Sequence, residues 1–138
     1  MKIIVFEQWD KLTALMRNLA VGSAEEKAQY AISRVQPKSG KAQLSDRTMN
    51  VLAVEGGETE IAMPDIIPGK ARDFLLRVTA SGENTLRFTG AEAFEGEADA
   101  LQPPGDGETA VYFFTETAAN ILLVARKVVE RIETEGET

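Results

Sequence analysis

Met49-Asn50-Val51-Leu52-Ala53-Val54-Glu55-Gly56-Gly57-Glu58-Thr59-Glu60-Ile61-Ala62-Met63 is the stretch on which the reading of this chain turns. Apolar residues flank a Gly-Gly pair. Glycine takes the positive φ angles of a tight reversal without a Cβ clash. Read locally, the stretch is a β-hairpin in which Leu52 faces Ile61, and Pro64 and Pro68 then close it with an irregular loop.

The same signals recur downstream. Residues 74–80 and 85–89 flank Ser81-Gly82-Glu83-Asn84, and their alternation predicts a second hairpin with Val78 opposite Phe88 and Ala80 opposite Leu86. Residues 91–109 are acidic and turn-rich, with Gly96, Pro103-Pro104 and Gly105-Asp106-Gly107. Residues 111–117 and 121–129 follow as long apolar runs joined through Ala118-Ala119-Asn120. The uninterrupted Tyr112-Phe113-Phe114 and Ile121-Leu122-Leu123-Val124 predict central strands buried on both faces. About six strands without βαβ alternation predict an antiparallel sandwich or barrel.

Upstream the period changes. Val5, Trp9, Leu12, Met16 and Leu19 are spaced 4-3-4-3, one face of a helix. Gly22 suits the helix end, and Ser23 with Glu26 forms a capping box for a second helix over residues 24–35, with Ala28, Ala31, Ile32 and Val35 inward and Pro37 ending it. The polar stretch after Gln36 reads as a linker. The fold expected is therefore α+β: a helical docking or oligomerisation segment over 1–36, a linker over 37–48, an antiparallel β body over 49–132 and an acidic tail over 133–138.

Composition bounds the function. The 138 residues are 43% apolar and 27% charged, with no cysteine and no histidine. One packed core suffices at this length, and disulfides, thiolate zinc sites and imidazole general bases are excluded. No apolar run is long enough for a signal peptide or a membrane span, which predicts synthesis and folding in the cytoplasm. The net charge of −7 is unevenly spread, +3 over residues 1–50 and −10 over residues 51–138. Such a split favours association within or between chains.

Few groups are left to carry chemistry. Glu95-Gly96-Glu97-Ala98-Asp99, with Asp106 at the twelfth position, resembles half a calcium loop. The sixth position is Ala100 rather than glycine, however, and Pro103-Pro104 forbid the exit helix. No Gly-x-Ser-x-Gly elbow, Ser-x-x-Lys pair or phosphate-binding loop is present. Trp9 reads as packed on its helix face rather than as a sugar platform. The expectation is no enzyme, no cofactor and no metal. Two alternatives stay open. One is a regulatory or nucleic-acid-binding protein using a helix-turn-helix-like N-terminus, with Gln29, Ser33 and Arg34 toward the bases; the −10 body argues against it. The other is a carboxylate-dependent hydrolase.

Ala71-Arg72-Asp73-Phe74-Leu75-Leu76-Arg77-Val78-Thr79, then Asp99-Ala100-Leu101-Gln102-Pro103-Pro104, Tyr112-Phe113-Phe114-Thr115-Glu116 and residues 122–127 carry a resemblance. Over about residues 70–127 the chain resembles small β-rich structural proteins of bacteriophage and prophage tail and virion modules. The resemblance implies a virion component that acts through assembly contacts and carries no catalytic residue. Its partners would be copies of itself, as in a trimer, and other virion or assembly proteins. Val5, Trp9, Leu12, Met16 and Leu19 are then the expected oligomer or docking interface.

Overall fold

The computed structural model describes residues 3–5 and 31–131. They form ten strands: β1 (Ile3–Val5), β2 (Ala31–Arg34), β3 (Lys41–Gln43), β4 (Thr48–Val54), β5 (Gly57–Ala62), β6 (Asp73–Ala80), β7 (Asn84–Thr89), β8 (Ala93–Gly96), β9 (Glu108–Ala118) and β10 (Ile121–Arg131). One sheet has the order β1-β8-β10-β9-β6-β4-β2, and the other has the order β3-β5-β7.

Alternation sets which residues point inward. β4 buries Thr48, Asn50, Leu52 and Val54 and turns Met49, Val51 and Ala53 the other way, the period of two expected of a strand with one face on a core. At Glu55-Gly56 the chain then turns onto the opposite sheet instead of folding back on its own edge. β4 pairs in parallel with β2 and β6, and β5 pairs in parallel with β3 and β7. From β2 to β7 the strands alternate between sheets, so the chain winds as a parallel two-sheet coil.

Successive turns of the coil stack. The Gly57 N–H donates to the Glu83 carbonyl at 3.2 Å, and Ser81 N–H donates to the Val54 carbonyl at 2.9 Å. Gly56 has φ of +87°, and a Cβ there would stand 3.3 Å from the Glu83 carbonyl oxygen. Glycine is needed here both for the left-handed backbone and for the close approach of the next turn.

After β7 the chain re-enters the large sheet as β8, and a true hairpin fills the space between β6 and β8. β9 and β10 pair antiparallel, with Val124 opposite Phe114 and Ala125 opposite Phe113, closed by Asn120 at φ +60°. β9 is antiparallel to β6, β10 is parallel to β8, and β8 is parallel to β1. Every strand of the large sheet except β9 therefore points the same way.

Aromatic side chains join the two sheets. Phe74 and Phe114, register partners on β6 and β9, stack with centroids 4.9 Å apart. Phe88 of β7 meets Phe94, Tyr112 and Phe114 at centroid distances of 6.2, 5.7 and 6.1 Å. Where the small sheet ends, the loop of residues 97–107 continues the cover and buries Ala100. Tyr112 Oη donates to the Gln102 carbonyl, and Arg126 donates to the Gln102 and Pro103 carbonyls at 2.9 and 3.0 Å.

This architecture corrects the expected fold class. No helix occurs among the described residues, and the sheets are mixed and parallel in place of an antiparallel sandwich or barrel. Residues 31–34, read as the end of a second helix, are strand β2 paired with residues 48–51, and Ile32 is 73% exposed rather than inward. Four residues with two apolar members satisfy helix and strand patterns equally. Val5 lies in strand β1, whereas Trp9, Leu12, Met16 and Leu19 lie outside the described residues. The stretch read as a linker supplies β3, which needs only one inward side chain, Ala42, fully buried. Neither of the first two hairpins forms as such. Leu52 and Ile61, and Val78, Ala80, Leu86 and Phe88, do share one core, but from opposite sheets.

Candidate functional site

Arg72 is the largest fully buried side chain among the described residues, at 0% exposure. It sits just before β6, where the chain returns from the loop after β5, and its guanidinium gathers groups from three places. It donates to the Pro64 carbonyl (2.9 Å), the Gly90 carbonyl (2.9 Å), Glu116 (3.2 Å to Oε2) and Asn120 Oδ1 (3.2 Å). Burial raises the Glu116 carboxyl, but hydrogen bonds from the Arg72 backbone N–H, the guanidinium and the Asn120 N–H outweigh it and hold the group below the usual carboxylate range. Every carboxylate contact is with the protein's own scaffold. The cluster clamps the coil to the β9–β10 hairpin, which is a structural task.

A second polar cluster lines an open groove of about 590 Å³ between the β6–β7 turn and residues 102–106. Asp106 Oδ1 accepts the Gly82 N–H at 2.8 Å, and Asn84 Nδ2 donates to the Gly82 carbonyl at 3.2 Å. Asn84 Oδ1 is buried without a hydrogen-bond partner among the described residues. The groove presents two acids, Glu83 and Asp106, and the second is committed to the turn.

The ends of the coil differ most in charge. At one end β2 and β3 are the outermost strands of their sheets, and residues 31–43 carry Arg34, Lys38 and Lys41, all exposed, with no acid. Ser33, Arg34, Val35, Gln36, Lys38, Lys41 and Gln43 line a groove of about 520 Å³ there. Toward the other end, residues 91–108 carry Glu92, Glu95, Glu97, Asp99, Asp106 and Glu108 with no base. β8, inside that stretch, stands five strand positions from β2, about 24 Å at the usual spacing.

The calcium-like series does not form a cage. Glu95 Oε1 on β8 accepts from Thr117 Oγ1 on β9 at 3.2 Å, Glu108 Oε1 accepts the Gly105 N–H at 2.7 Å, and Asp106 is held by Gly82. No cluster of three or more acidic, histidine or cysteine side chains suited to a metal occurs among the described residues. Ser33 and Arg34, candidates for base contacts, stand on strand β2 and not on a recognition helix; Gln29 lies outside the described residues. Among the proposed interface residues, Val5 is in β1 at the far edge of the large sheet, and the other four lie outside the described residues. Sequence reasoning missed Arg72 as a buried clamp, since nothing local distinguishes it from a surface arginine. No helix among the described residues is long and apolar enough to cross a membrane.

No protein-family model matches the chain, and neither a curated protein nor a solved structure matches it. Nothing in these comparisons ties residues 70–127 to virion proteins.

Proposed function

We propose that the chain is a non-catalytic assembly subunit whose copies associate end to end, the basic β2–β3 end of one against the acidic 91–108 face of the next. The supporting observation is the separation of unlike charge to opposite ends of the strand stack. Contact of this kind is heterologous, so it closes into rings or runs on as a filament. A virion component, made in the cytoplasm and built into a particle with other assembly proteins, is the setting that the resemblance of residues 70–127 implies. The reading requires no cofactor.

Sedimentation velocity tests it. The wild-type chain should associate at low ionic strength and dissociate as salt screens the contact. Lys38→Glu with Lys41→Glu should abolish association, and mixing that variant with Glu97→Lys/Asp99→Lys should restore it. A monomer at all salt concentrations, or a salt-dependent mobility shift on duplex DNA lost in Lys38→Glu/Lys41→Glu, would sink the reading, the latter in favour of nucleic-acid binding.

A further inference from the structure

The arcs along one side of the coil stack into a column. The Glu60 N–H donates to the Gly40 carbonyl at 2.8 Å, the Gly57 N–H to the Glu83 carbonyl at 3.2 Å and the Gly107 N–H to the Ala80 carbonyl at 2.9 Å. The column runs from residues 38–41 through the β4–β5 and β6–β7 turns to residues 103–107, and its two ends differ in shape and in charge.

The first end is a knob. Lys38 and Lys41 exchange backbone hydrogen bonds at 2.9 and 3.1 Å around Ser39 (φ +53°) and Gly40 (φ +76°), a two-residue hairpin turn with both central residues left-handed. Residues opposed in this way stand about 5.5 Å apart at Cα with their side chains on one side, so two ammonium groups are held together, which is unfavourable. Among the described residues neither lysine has an ion-pair partner, and Glu60, the register neighbour of Lys41, is taken by Arg87 and Thr89 at 2.9 Å each. A fixed tip with an uncompensated like-charge pair breaks a local rule of stability, and such breaks collect at functional sites.

The last end is a hollow. The groove between the β6–β7 turn and residues 102–106, about 590 Å³, has the volume of a small-ligand site. Glu83 and Asp106 stand exposed on it, and among the described residues no lysine or arginine lines it. Asp106 spends Oδ1 on the Gly82 N–H and keeps its charge. Arg126 is turned to the Gln102 and Pro103 carbonyls.

We propose that the Lys38–Lys41 tip of one copy enters this groove of the next, its ammonium groups against Glu83 and Asp106. The inference rests on the end-to-end reading and names the groove as the part of the acidic end that receives the tip. Two unpaired cations meet two acids, and because the contact is heterologous each copy offers one tip and one groove.

The chain has no cysteine, so single introduced thiols report the contact. Copies carrying Ser39→Cys, mixed at low ionic strength with copies carrying Thr85→Cys on the groove, should be joined by a short bismaleimide several-fold faster than with copies carrying Ala98→Cys, an exposed site on the acidic face outside it. Glu83→Gln/Asp106→Asn removes both charges and keeps an acceptor for Gly82, and should weaken association about tenfold or more in sedimentation velocity. Equal joining at the two sites, or unchanged association of the double variant, would overturn the inference while the end-to-end reading stands; a chain that does not associate at all would overturn both. Calorimetric binding of calcium to the wild-type chain, lost in the double variant, would give the groove to a metal ion and also overturn the inference.

Discussion

The β4–β5 and β6–β7 turns and the β9–β10 turn look alike in sequence, each a reversal between two apolar runs, and they have different outcomes. The first two are arcs: their strands enter different sheets and meet only through side chains across the core. The third is a hairpin whose strands exchange backbone hydrogen bonds along nearly their whole length. The arcs satisfy their backbone groups with the coil above or below, so each depends on its neighbours. The hairpin carries its own ladder. A turn signal therefore marks where the chain reverses, while the partner of each strand edge is decided elsewhere.

Arg72 is the point at which the two regions are tied, and its loss should have the largest effect. Arg72→Ala removes the guanidinium from the Glu116 carboxylate, which keeps only backbone donors, and from the Pro64 and Gly90 carbonyls, and should cost about 3–5 kcal/mol in urea unfolding. Glu116→Gln keeps the shape and should cost about 1.5–3 kcal/mol. Because folding lowers the Glu116 pKa, its contribution is present above the usual 4.5 and is lost as pH falls through the lowered value. The acid limb of stability should be flatter in Glu116→Gln. An unchanged acid limb would remove the carboxylate from the clamp.

Tyr112 probes the hairpin side. Burial pushes its hydroxyl up to about 12 from 10.0, against the opposing effect of Arg126. The folded state then holds the proton longer than the unfolded chain, so this contribution is complete below pH 10 and falls away between pH 10 and 12. The loss amounts to about 2–3 kcal/mol. Tyr112→Phe should cost about 1 kcal/mol at neutral pH by removing one of the two donors to the Gln102 carbonyl, and should lack that alkaline decline.

Gly56 and Gly57 sharpen the description of the arcs. Both have positive φ, but only at Gly56 would a Cβ meet the Glu83 carbonyl of the next turn; nothing stands within 4 Å of a Cβ at Gly57. Gly57→Ala should cost about 1 kcal/mol for the backbone alone and Gly56→Ala about 2 kcal/mol. Equal costs would mean that the stacking of the arcs contributes nothing. The smallest effect is expected at the acidic surface: Glu95→Gln, Glu97→Gln and Asp99→Asn together should change stability by less than about 1 kcal/mol. Calcium-dependent melting of the wild type, lost in this triple variant, would instead show a cation site.

Downstream of residue 48 the sequence by itself determined which residues point inward and where the chain reverses, whereas Ile32, expected inward, is exposed. Leu52, Ile61, Val78, Ala80, Leu86, Phe88, Tyr112 and Phe114 are all in the core, since alternation and glycine or asparagine at reversals are local properties of the backbone. Residues 31–34 and the single inward Ala42 of β3 were not legible, because so short a stretch carries too few side chains to declare a period. Nor were Arg72 as a clamp and the charged coil ends as a surface, both of which depend on residues far apart in the chain. Tertiary structure alone decided arc against hairpin and parallel against antiparallel. Each strand has two edges of identical backbone donors and acceptors, which encode no partner, and the choice falls to whichever stacking buries all the inward side chains at once.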